Sequence, residues 1–178
     1  MMGNRRPPLR PPEFDWNMTG STPLQTYSIT TITPVYGGGH EAGKVDTEDP
    51  VRAQSIRGCL RFWWRAARAA QFRTIAEMRE AESKLFGSTA KPSPFDLQVE
   101  VGTRGQLDAS REPAYALFPF RESKASGLRQ VCFVLSLSAP RAAPAILVSE
   151  LEAAVWAWVT FGGYGARARR GCGALRFE

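Results

Sequence analysis

An α+β domain, with two long helices set against one antiparallel sheet, is predicted by three features of this 178-residue sequence. Short segments rich in Thr, Ile, Val and Tyr alternate apolar with polar residues, as half-buried strands do. Longer segments repeat their apolar residues at helical spacing. Glycines and prolines punctuate the boundaries between the two kinds.

The first strand is "TYSITTIT", residues 26–33, stopped by Pro34, which has no amide to give a sheet ladder. A glycine-rich loop of mixed charge follows, "VYGGGHEAGKVDTEDP". Ser55 then reads as the N-cap of the helix "SIRGCLRFWWRAARAAQ", because its hydroxyl can accept from a free first-turn amide. A second helical stretch over about residues 74–86 ends at Gly87, a natural C-cap. "FDLQVEV" (95–101) alternates like a strand, and "AYALFPF" (114–120) reads as a short extra one. "RESKASGLRQ" is a polar turn bending at Gly127, and "VCFVLSLSA" (131–139) is the strongest strand signal.

Ser149 and Glu152 suggest a capping box for the last helix, "LEAAVWAWVTF", which stops at Gly162 and Gly163. "ALRFE" is the final strand. The order is β-α-β-β-α-β, a ferredoxin-like (RRM-like) unit with an added strand, inserted loops and a C-terminal glycine-rich loop. Residues 25–178 form this single domain, and residues 1–24 a proline-rich basic arm, poorly ordered. Residues 88–94 and 102–113 are insert loops, and no repeat of fixed period occurs.

The chain carries 23 Lys and Arg against 17 Asp and Glu, a net charge of +6 with a pI near 9.6, which favours a polyanionic partner. No apolar run approaches the ~18 residues that span a bilayer, and the N-terminus lacks a signal-type apolar region. No membrane partner and a cytoplasmic location are therefore expected. Cys59, Cys132, Cys172 and the sole histidine, His40, lie on four separate segments. Reduced thiols are expected there rather than a zinc site, so neither metal nor cofactor is called for.

At 100° per residue, Ile56, Cys59, Leu60, Trp63, Ala67 and Ala70 share the core stripe of the first helix. Arg57, Arg61, Arg65 and Arg68 fall within about 80° on another face. Like charges at that spacing repel, so either phosphates face them or the face is simply solvated. Trp64 borders the arginines and could stack on a base or pack under a loop. Phe62 points away from the core stripe, which implies a cover from another element or subunit.

The helix start joins Arg52, Ser55, Arg57 and Gly58. Free amides, the positive helix end and a residue without Cβ make a generic phosphate site. The second glycine cluster, "GGYGARARRGCG", holds Gly163, Gly165, Arg167, Arg169 and Arg170. Its glycines allow close backbone approach and its arginines supply planar donors, unless it is a flexible loop without a ligand. No Gly-Lys-Ser/Thr follows, so it is not a Walker loop, and it closes a helix where a dinucleotide fingerprint would open one.

These segments resemble the CRISPR-associated RAMP superfamily, whose signature glycine-rich loop is similar to "GGYGARARRGCG". "TPVYGGG" followed by "DPVRAQSIRGCLRFWWRA", with "ESKLFGS" after it, resembles the opening of the first-named RAMP subunits of type III-B (Cmr) effector complexes. Such subunits typically carry two RAMP domains where this chain has one. The resemblance implies a non-catalytic, RNA-binding structural role in antiviral defence, gripping the 3′ portion of guide RNA or a target RNA backbone beside other RAMP subunits. It puts Arg52, Ser55, Arg57, Gly58, Arg61 and Arg65 on the RNA side, with Gly163, Gly165, Arg167, Arg169 and Arg170 as the loop contact. Backbone contacts give affinity without sequence choice.

Two cleavage alternatives stay open. An acid among Asp46, Glu48 and Asp49 could hold a metal for target cutting, as in related backbone subunits, or the three could be turn residues. His40 could act without metal, as in guide-processing relatives, or be an ordinary loop histidine. A third class is an adaptor whose basic face meets an acidic protein. The RNA reading requires the two glycine turns to converge and the guanidiniums to stay clear of the chain's own carboxylates.

Overall fold

The computed structural model describes residues 21–39, 44–110, 117–118, 126–140 and 143–178. Strand β1 (Ser21–Thr31) leads through a long loop to helix α1 (Ala53–Arg68) and then α2 (Ile75–Phe86). Strands β2 (Asp96–Thr103), β3 (Gln106–Asp108), β4 (Gly127–Arg129) and β5 (Cys132–Pro140) follow. Helix α3 (Ala145–Phe161) and strand β6 (Leu175–Phe177) complete the chain.

The main sheet has four strands in the order β2-β5-β1-β6, and every neighbouring pair is antiparallel. Strand β5 earns its centre: its residues alternate between the buried face and the half-open one along its length, as a period of two requires. Ile29 of β1 sits opposite Phe133 of β5, and both are buried. Above that face α1 and α3 close the core with Ile56, Leu60, Val155 and Trp158. The Phe133 and Trp158 rings meet at 6.5 Å, joining sheet to helix.

Several boundaries differ from the sequence expectation, each for a physical reason. β1 begins at Ser21, inside the segment assigned to the arm, because β5 is long enough to pair with Thr22 and Pro23 across a bulge. The rest of that arm, residues 1–20, lies outside the described residues. Ser55 is not a cap: α1 starts at Ala53 behind Arg52, which makes no side-chain cap bond. Nor do Ser149 and Glu152 form a capping box, since α3 starts four residues earlier and the Ser149 hydroxyl donates to Ala145 O at 2.9 Å.

Gly127 opens strand β4 rather than a bend, and β4 pairs with β3 as a small second sheet. Of the proposed strand 114–120 only Leu117 and Phe118 are described, and they lie in a turn. Thr74 caps α2 by accepting from Glu77 N at 3.2 Å, and Gly87 ends it at φ +76.

Candidate nucleic-acid interface

The two glycine turns do converge. Backbone hydrogen bonds stitch residues 32–36 to residues 166–174: Ile32 N to Ala174 O at 2.7 Å, Gly173 N to Pro34 O at 2.9 Å, and Ala166 N to Tyr36 O at 2.7 Å. Thr33 clamps the same seam, its hydroxyl donating to Gly171 O at 2.6 Å and accepting from Ala174 N at 2.9 Å. Beneath it Tyr36, Leu117 and Cys172 make a small separate core, so the turn rests on packed side chains rather than hanging free.

Close approach explains the glycines at two places. A Cβ on Gly165 would meet Tyr36 O at 2.7 Å, and Gly165 holds φ +89. A Cβ on Gly163 would meet Gly173 O at 2.8 Å. Arg167 takes φ +63 without being glycine, a conformation that surrounding structure must enforce. Its carbonyl accepts from Arg170 N at 2.8 Å, turning residues 168–170 into a short 3-10 coil. Arg169 and Arg170 project from that coil into solvent, and among the described residues no carboxylate pairs with either.

Helix α1 is tied to this turn. Tyr164 receives the Arg52 backbone N–H at 3.0 Å, and Trp158, fully buried, donates from Nε1 to Gly163 O at 3.0 Å. Gly58 of α1 faces Gly162, Gly163 and Arg169 across a groove of about 310 Å³. Tyr164 and Trp158 escaped notice in the sequence, although both lie within or just before the glycine run.

The arginine face of α1 does something else. Arg61 and Arg65 both bind the buried carboxylate of Glu82 on α2, at 2.6 and 2.8 Å. Arg68 grips Glu150 of α3 with two bonds of 2.8 Å, and Arg57 donates to Phe86 O at 2.8 Å. Arg52 pairs with Asp46 and Asp49. The expectation that these guanidiniums stand clear of the chain's own carboxylates is therefore corrected for Arg52, Arg61 and Arg65. The repulsion along the stripe is relieved from inside the molecule.

Trp64 is corrected too. It is 5% exposed and its Nε1 donates to Glu150 at 2.9 Å, so no base can stack on it. In the core stripe it takes the place expected for Ala67, which is exposed. Ser55 is exposed on the first turn of α1.

The acidic loop is a structural turn. The Asp46 carboxylate accepts from Glu48 N and Asp49 N, both at 3.0 Å. The Asp49 amide most of all, then the Glu48 amide and the Arg52 guanidinium, hold its pKa below the usual 3.8. Glu48 points at Arg104, 4.0 Å away. Among the described residues no cluster of three metal-ligating side chains occurs. His40 lies outside the described residues. No described helix is long and apolar enough to cross a membrane.

The model of the RAMP superfamily matches residues 28–176. "CRISPR system Cmr subunit Cmr1-2" of Pyrococcus furiosus is 25% identical over 182 residues, covering 85% of this chain and 94% of that relative. "CRISPR system Cmr subunit Cmr1-1" of the same organism is 26% identical over 174 residues, covering 86% of this chain but 47% of its own. Among solved structures, apo Cmr1 from Pyrococcus furiosus superposes with a TM-score of 0.67 at 22% identity, over 85% of this chain and 48% of that one. A chain of the type III-B Cmr-beta complex bound to cognate target RNA gives 0.60 at 14% identity, over 87% and 54%. The chain thus spans nearly all of one relative and about half of the others, and the structural likenesses speak for the fold alone. From first strand to last, the matched residues are those that build the sheet and the stitched glycine turns, and the chain belongs to the RAMP superfamily.

Proposed function

We propose that this chain is a non-catalytic RNA-binding subunit of a type III-B (Cmr) CRISPR ribonucleoprotein, gripping the backbone of guide or target RNA in antiviral defence. The observation that carries the reading is the glycine turn: Arg169 and Arg170 stand exposed on a rigidly stitched loop without a carboxylate partner among the described residues. The similarity to Cmr subunits and the target RNA bound in the Cmr-beta complex support the assembly, with related RAMP subunits alongside. A cytoplasmic role goes with this reading.

The strand order β2-β5-β1-β6 with α1 and α3 against one face is the ferredoxin-like arrangement; α2 and the β3–β4 pair are insertions. Its RNA contact differs from that of an RRM. The open face of the sheet carries Ser28, Thr30, Cys132 and Val134, where an RRM stacks bases on aromatic rings. The interface therefore lies at the loop end, where the contact is ionic and indifferent to sequence.

Neutralised phosphates release counterions, which sets the test. Replacing both Arg169 and Arg170 by alanine should weaken binding to unrelated single-stranded RNAs alike, and flatten the log affinity–log salt slope by about 1.4. An unchanged slope refutes the loop contact. Cleavage through the acidic loop is tested by Asp46→Ala, Glu48→Ala and Asp49→Ala in the assembled complex. Target cutting should persist in all three, since the Asp46 carboxylate is committed to its turn and to Arg52, Asp49 pairs with Arg52, and Glu48 stands exposed beside Arg104. Its loss in any one would make this chain a nuclease.

A further inference from the structure

We propose that the groove between α1 and the glycine turn takes one unstacked nucleobase of the bound RNA. This rests on the RNA-binding reading and adds to it a contact that the backbone alone cannot make. Phe62 and Phe161 stand 40% and 63% exposed along the groove, with Trp63 between them. Trp63 meets Phe62 edge-on at 5.5 Å and Phe161 at 6.2 Å with the planes 35° apart. Such rings are stacking partners for any base, because every base has a π-face.

Three further observations favour a nucleotide. Gly58 lies inside α1 with nothing within 4 Å of where a Cβ would stand. Glycine in a helix interior is destabilising relative to alanine, and here no packing among the described residues requires it. The Trp63 indole N–H donates to no acceptor among the described residues, and its Nε1 edge lies against Gly162 on the groove wall, where it remains a donor without a partner. Arg169 lines the same groove, and the adjoining hollow beside Gly165 is lined by Arg167, Arg169 and Arg170, with no acid among the described residues in either lining. An aromatic slot beside paired cations matches a ring joined to a phosphate.

The test compares a short oligoadenylate with an abasic ribose-phosphate strand of equal length, using the full chain. Wild type should prefer the oligoadenylate. Phe62→Ala and Phe161→Ala should each weaken oligoadenylate binding about fivefold or more, leave abasic binding unchanged, and preserve the salt slope. Phe62→Tyr should restore wild-type affinity. Equal losses on both probes, or no loss on either, overturn the base pocket. If alanine at Arg169 and Arg170 weakens binding while the phenylalanine changes do not, the pocket alone falls. If the arginine changes also do nothing, the RNA-binding reading falls first. Phenylalanine variants that lose a protein neighbour from the assembled complex, with RNA affinity intact, assign the groove to protein docking and overturn the proposal.

Discussion

The backbone N–H of Arg52 donates to the phenol oxygen of Tyr164 at 3.0 Å, which joins the start of α1 to the glycine turn more than a hundred residues later. Helix starts leave amides without partners inside the helix. Here one is used as a tether, so a shift of α1 against the turn breaks it. The bond ties the two walls of the groove together.

Tyr164→Phe keeps the buried ring and removes only the acceptor. It should cost about 1 kcal/mol of stability, measured by urea unfolding, because the Arg52 amide loses its partner. RNA affinity should fall as well, as the turn is released from the helix.

Glu82 is 4% exposed and holds both Arg61 and Arg65. Glu82→Ala should lower stability by about 1–2 kcal/mol, the half-exposed guanidiniums limiting the loss. Arg61→Ala and Arg65→Ala should likewise lower the unfolding midpoint while changing RNA affinity less than twofold. A larger fall in RNA affinity would return the arginine face to the interface.

Two glycine substitutions should act in opposite directions on stability. Gly173 holds φ +61 and its Cβ would press on the Tyr164 carbonyl, so Gly173→Ala should destabilise strongly and abolish RNA binding with the turn. Gly58→Ala meets empty space and should stabilise by about 0.5–1 kcal/mol. The same methyl narrows the groove, so RNA affinity should drop while the melting temperature rises.

Asp46 gives a pH prediction. Its folded pKa is depressed, chiefly by the Asp49 amide, so its contribution is present above the unfolded carboxylate range and is lost as pH falls through the folded value. Asp46→Asn should therefore flatten the acid limb of the stability–pH curve. In a carboxyl-carbon NMR titration the Asp46 midpoint should lie below 3.8.

The sheet and its helices were legible because their signals are local. The alternation of "VCFVLSLSA", the glycine stops at Gly87 and Gly162, and the convergence-prone glycine runs act over a few residues. The helices begin at Ala53 and Ala145 rather than at Ser55 and Ser149, because a side-chain cap is only one way to begin a helix. Arg52 and Pro144 begin α1 and α3 without one.

The acidic partners left a faint trace: Glu82 lies four residues after Met78 and three before Leu85, on the apolar stripe of α2, where a carboxylate needs a cation. By itself the sequence determined the helices and the four strands of the main sheet, the excess of positive charge and the glycine turn that carries it. Only the tertiary structure decided which arginines remain available. Helices α2 and α3 bring Glu82 and Glu150 against α1 from distant positions, and a guanidinium bound to a carboxylate of its own chain has little charge left to offer a phosphate.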